Sequence, residues 1–215
     1  MAMFNAERSD HLPQPELHRV PFFLEPEYSS QPEDWWEPHE TRMVRKFGSK
    51  EAFEQVKVSH RLMPRATEAG LDGEGWTEET LAARRQSSTL RAHALVRWLD
   101  TTLGWEAAEI GYAVLTKGHF VEGRRLNDIE LLRAAAVAAG AGADEAEAYL
   151  RGGEGEAAVL AAAAAVNRAG IHSIPALFVG GKMAVSGAAG MFEVLTALRR
   201  AAVSGPGSTR AFAME

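Results

Sequence analysis

Apolar residues recur at helical spacing through the middle of this chain and gather into short strand-like runs near its C-terminal end. From Thr41 onward, Met43, Phe47, Phe53, Val56 and Leu62 follow the face of an amphipathic helix, interrupted at Gly48-Ser49, where Ser49 is placed to cap a new start. Gly70 to Gly75 reads as a turn, and Thr77-Glu78-Glu79-Thr80 as a helix start leading into Leu81. Ser88–Leu103 predicts a stronger helix, with Leu90, Ala94, Leu95, Trp98 and Leu99 along its inner face. Further helices are predicted from Trp105 to Lys117, and from a cap at Asn127 or Asp128 through Ile129, Leu131, Leu132 and Val137 to Gly140. Two more cover Ala143–Leu150 and Glu154–Ala169, where the alanine run Ala157–Val166 reflects helix propensity and close packing.

The rhythm changes after Gly170. Ala176–Val179 and Lys182–Ser186 predict two short strands joined by Gly180-Gly181, a pair that accepts the positive φ angles of a two-residue hairpin turn. Met191–Ala202 predicts a closing helix with Phe192, Leu195 and Leu198 inward. At the other end, Leu17–Leu24 (LHRVPFFL) predicts a buried strand that Pro21 moves toward an edge position. In the Pro- and Trp-containing loop that follows, Trp35 and Trp36 read as packing anchors, with stacking on a ligand as the alternative. Residues 1–16 are expected to form a flexible N-terminal arm and residues 204–215 a flexible tail. Strand, helices, hairpin, helix is the order of an α/β fold carrying a helical insertion.

Composition excludes several functions. The 215 residues are 46% hydrophobic and 24% charged, as in ordinary globular chains. A net charge of -6 without a basic stripe argues against a nucleic-acid partner. No apolar run approaches the roughly 20 residues that span a bilayer, so no membrane partner is expected, and the first residues lack the pattern of a secretory signal. The chain has no cysteine, which removes disulfides, thiolate metal sites and thiol catalysis from these residues and fits a reducing, cytoplasmic location. Its 7 histidines (His11, His18, His39, His60, His93, His119 and His172) form no HxH or HxxxH pair, so neither a metal nor another cofactor is expected. No GxGxxG, GxxxxGK[ST] or GxSxG pattern occurs, and no catalytic residue is assigned. Arg84-Arg85 and Arg124-Arg125 read as solvated basic pairs.

The candidate site is the loop His172-Ser173-Ile174-Pro175, just before the first strand of the hairpin. The residues alone allow a turn that aims the strand. His172 reads as a surface or capping histidine, with hydrogen bonding to a carboxylate or proton transfer as the alternative.

Four segments, in order, resemble the DsbA-like thioredoxin family, and within it the FrnE-type branch. Pro21-Phe22-Phe23-Leu24-Glu25-Pro26 is similar to the branch's "PFxLxP" second strand, and Ser88-Thr89 with Ala92-His93 to its "NT…AH" helix. Gly118–Arg124 (GHFVEGR) resembles the "YFxEGRD" turn. Gly170–Gly187 (GIHSIPALFVGGKMAVSG) resembles the cis-proline loop and hairpin, with Ser186-Gly187-Ala188-Ala189 in place of "SGAQ". The resemblance implies a thioredoxin-like fold with an inserted all-helical domain. The partial thioredoxin-like domain would cover 17–40 and 165–203, and the insertion 41–164. It implies thiol–disulfide oxidoreductase ancestry, and a cis Pro175 at which Ser173, Ile174, Pro175 and neighbouring His172 receive an extended peptide, a protein substrate or glutathione as an added strand.

One departure accompanies the resemblance. In the family a first strand and a CxxC-bearing helix precede the counterpart of Pro21-Phe22 and need on the order of 40 residues. The stretch before Pro21 is shorter and lacks an apolar strand pattern. The first strand and redox helix are therefore expected to be missing, as in a truncated gene product or a degenerate homologue. The sheet would then close up, or keep an open edge for another chain or a second copy in a homo-oligomer. Three functions remain open: a redox-inactive member of the oxidoreductase family, a non-catalytic module binding peptides or partners at the proline loop, and a glutathione-dependent transferase or isomerase of the kappa-class type.

Overall fold

In a computed structural model of the chain, the structure describes residues 16–59, 75–187 and 189–203. They fall into two units divided inside one helix, His18–Ala161 and a second made of Glu16 and Leu17 with the described residues from Ala162 onward. Leu62, most of the Gly70–Gly75 turn, the arm before Glu16 and the tail after Val203 lie outside the described residues.

The first unit is helical. A 3-10 turn, Pro26–Ser30, precedes a two-residue strand β1 (Glu37–Pro38) and α1 (His39–Phe47). Gly48, in the left-handed region at φ 88°, ends α1, and the Ser49 hydroxyl accepts from Ala52 N to start α2 (Lys50–Ser59), as its placement predicts. Thr77 caps α3 (Glu78–Ala83) through a reciprocal pair of bonds with Thr80. Strand β2 (Arg85–Gln86) then pairs antiparallel with β1, Glu37 opposite Gln86 and Pro38 opposite Arg85. There follow α4 (Leu90–Leu103), α5 (Trp105–Phe120), α6 (Ile129–Ala138), α7 (Ala143–Gly152) and α8 (Glu154–Arg168). Asp128, not Asn127, caps α6 by accepting from Glu130 N at 3.0 Å.

The core of this unit has Leu95, Leu99, Leu131, Leu132, Leu150 and Val159 as its largest fully buried side chains. All five residues expected on the inner face of α4 are buried. On α6 the inward set is Leu131, Leu132, Ala135 and Ala136, while Val137 is 55% exposed, because the stripe centred on 132 and 135 leaves 137 on the far side of a 3.6-residue turn. Gly111 and Gly118, one heptad apart on α5, let its neighbours approach. A Cβ would stand 2.5 Å from Leu99 Cδ1 at Gly111 and 2.6 Å from Leu131 Cδ1 at Gly118.

Leu17–Leu24 is not a strand. It joins no ladder, and each sheet among the described residues has two strands. Side chains fasten the segment instead. His18 Nδ1 lies 2.9 Å from Asp100, Arg19 Nη2 donates to Glu109 at 2.8 Å beneath a guanidinium 3.5 Å from the Tyr112 ring centroid, and Phe23 meets His93 edge-on at 5.4 Å. Pro21 has no N–H to give a ladder, and its buried ring anchors the segment. These contacts of residues 18–23 are all made within the first unit.

In the second unit α8 ends at Gly170, φ 78°, with Ile171 N donating to Val166 O at 3.2 Å. Strands β3 (Ala176–Val179) and β4 (Lys182–Ser186) form the expected antiparallel hairpin, its register shifting between Leu177 and Phe178. Both turn glycines have positive φ, 57° at Gly180 and 77° at Gly181. Gly181→Val should weaken the hairpin by about 1–2 kcal/mol, the cost of a left-handed non-glycine residue, read as faster amide exchange confined to β3 and β4. Helix α9 (Met191–Val203) packs mainly on β4. Its half-buried positions include Leu195 and Leu198 as expected, but Phe192, expected inward, is 80% exposed, since no described residue covers the first turn of α9.

Candidate functional site

The loop His172–Pro175 is held at both ends. Upstream, buried Ile171 anchors the exit from α8; downstream, Pro175 O accepts from Gly187 N at 2.8 Å, tying the base of β3 to the end of β4. Between these anchors all four residues are exposed, Ile174 to 47%, and the Ile174–Pro175 peptide is cis. The backbone groups of Ser173 and Ile174 have no internal partner among the described residues. β3 and β4 make a two-stranded sheet among those residues. Large exposed apolar side chains among the described residues from Ala162 onward are Ile174, Met183, Met191 and Phe192. Such a site can pair with an extended backbone and offer apolar contacts beside it. Ser173 makes no hydrogen bond to a base among the described residues.

The ionisable chemistry lies in the helical unit, in two clusters that the sequence pattern did not single out. In the first, Glu37 is buried at the start of β1 and receives the Tyr28 hydroxyl, Arg45 Nη1 at 2.8 Å and Arg45 Nη2 at 2.7 Å. The Arg45 guanidinium holds the Glu37 carboxyl below the usual carboxylate range, while burial and the Glu37 bond push the Tyr28 phenol up to about 12. Trp35 leans on Tyr28 at 4.8 Å between centroids, so one tryptophan is the expected packing anchor; Trp36 is exposed beneath Arg85.

In the second cluster Arg84 Nη2 lies 2.9 Å from His39 Nε2, the Gln86 amide nitrogen lies 3.1 Å from His39 Nδ1, and the guanidinium stands 5.0 Å from the Phe120 ring. Burial, then the charge of Arg84, hold His39 down to about 3. Burial holds His93 and His119 at about 4, and lowers Arg84 to about 10. Arg84, Arg124 and Arg125 are thus internal connectors and not solvated pairs. Arg124 bonds Asp128 at 2.9 Å and Arg125 donates to Asp34 O at 2.7 Å. The sequence hid the partners of Arg84 and Arg125 because they lie 45 and 91 positions away. No group of three or more potential metal ligands occurs among the described residues. His172 and His39 belong to different units.

The family description "DSBA-like thioredoxin domain" matches residues 47–199, from the end of α1 to the last turn of α9. That span covers well over half of the chain, and the chain belongs to the DSBA-like thioredoxin-domain family. No curated protein matches it. Its few short strands and many helices are compatible with the α/β class of that family, and no described helix is long and apolar enough to cross a membrane.

Proposed function

We propose that these residues form a redox-inactive, FrnE-type member of the disulfide oxidoreductase family that retains a peptide-receiving loop. The observation that carries this reading is the cysteine count of zero in a chain of that family. Thiol–disulfide exchange needs a thiolate as attacker and a sulfur leaving group, and these residues supply neither. The reading takes the first strand and redox helix to have no counterpart in these residues, and 41–164 as a helical insertion between parts of a thioredoxin-like domain. It assigns the protein to the cytoplasm, where a cysteine-free chain has no oxidising environment to exploit.

A binding role for Ser173, Ile174 and Pro175, with His172 at the rim, is favoured by the exposure of all four residues and the unpaired backbone of Ser173 and Ile174. An extended peptide, or a second copy of the chain, would add to the hairpin there. The redox half of the proposal is tested by insulin reduction with dithiothreitol as electron source. The expected rate equals the no-protein blank at every chain concentration; a rate rising with chain concentration would overturn it.

A further inference from the structure

We propose that His39 and Arg84 form an acid-sensitive latch closing the corner of the helical unit made by α1, β1, α3 and β2. His39 is 6% exposed and opens α1 directly after β1. Arg84 ends α3 directly before β2. The two residues meet twice, backbone to backbone, with His39 N donating to Arg84 O at 3.0 Å, and side chain to side chain at 2.9 Å. The ring also meets Phe53 of α2 edge-on at 5.9 Å.

The chemistry of that contact depends on the proton. A guanidinium only donates, so the contact holds while the imidazole offers a lone pair. An imidazolium offers none, and the hydrogen bond would become two cations at contact distance in a buried place. The surroundings do not compensate. The charged and titratable groups facing His39 are Arg84, Arg42 on α1, Lys57 on α2 and His119 on α5. Arg84 has no carboxylate partner among the described residues. Glu40, Glu54 and Glu78 line a cavity of about 190 Å³ beside His39, but Glu40 is paired with Lys50 and Glu54 with Lys57, each at 2.7 Å, and none of the three is among the main charges acting on the ring. Arg42 is paired with Glu25 at 2.6 Å.

A proton therefore enters His39 only after the corner opens and the ring regains its ordinary value near 6.5. The sign follows. The closed form binds fewer protons than the open one, so closure is complete above that value and weakens about tenfold per pH unit below it. The test is amide exchange by mass spectrometry on the full chain between pH 7 and 4.5, corrected for intrinsic rates. In the wild type, protection of α1, α3 and β2 should start below that of α4 and α6 and fall about tenfold per pH unit. In His39→Gln, whose amide oxygen can still accept from Arg84, that fall should vanish. In Arg84→Gln it should level off at a higher pH, because the ring can then charge without meeting a cation. A wild-type corner whose corrected protection does not change with pH, or a His39→Gln corner that follows the wild type, would overturn the proposal. Should His39→Gln not fold, an Arg84→Gln curve superimposing on the wild type to pH 4.5 would overturn it equally.

Discussion

Acidification from pH 7 to pH 4.5 should remove about 4–8 kcal/mol from the stability of the helical unit. Three histidines drive this loss: His39, held at about 3, and His93 and His119, held at about 4, in each case chiefly by burial. Each folded value lies below the ordinary one near 6.5, so the unfolded chain takes up these protons first. Stability is then complete above about pH 6.5 and falls as the pH moves from there toward the folded values. Two pH units are worth about 2.7 kcal/mol for one histidine, and about 8 kcal/mol for three is a ceiling that residual burial in the unfolded chain reduces. Glu37, held low by Arg45, acts in the same direction only at lower pH, where carboxylates begin to protonate. Urea unfolding followed by far-ultraviolet circular dichroism at pH 7, 6, 5 and 4.5 measures the slope. His93→Phe, which keeps a ring against Phe23, should remove one proton's share of it. A stability that stays flat across this range would show that the histidines are not buried in neutral form.

Leu132→Ala should cost about 3–5 kcal/mol, because Leu132 is fully buried and the packed helices around it cannot collapse into the space. In a chain of this size that corresponds to a drop in Tm of roughly 10 °C, with an unchanged denaturant slope. Val137→Ala, one turn away but on the outer face, should stay within about 0.5 kcal/mol. The pair separates the two readings of α6, since a sequence-based face including Val137 predicts a large loss at both positions.

Much of the fold was legible because local chemistry decides it. Ser49, Thr77 and Asp128 cap the helices they precede, and Gly180-Gly181 turns the hairpin at the strand ends read from the pattern. The failures lie where side chains or longer-range packing overrule pattern. Leu17–Leu24 has the composition of a strand, but Asp100, Glu109 and His93 on α4 and α5 hold it without a ladder. Phe192 follows helical spacing, yet nothing described covers the turn that carries it. Within the candidate site, the loop 172–175 was found through its proline and the strand that follows. The Glu37 and His39 clusters were not, because they join residues 8 and 45 positions apart from segments with no shared periodicity.

The central claim is that these residues hold extended peptides at the proline loop without thiol chemistry. The most direct measurement is fluorescence anisotropy of labelled extended peptides with an apolar residue at every second position, titrated with the full chain with and without dithiothreitol. Binding should be the same in both conditions. It should weaken about tenfold, or 1.4 kcal/mol, in Ile174→Asp, a change at an exposed position that leaves the fold intact. No binding by any such peptide, or an Ile174→Asp chain that binds as tightly as the wild type, would contradict the claim.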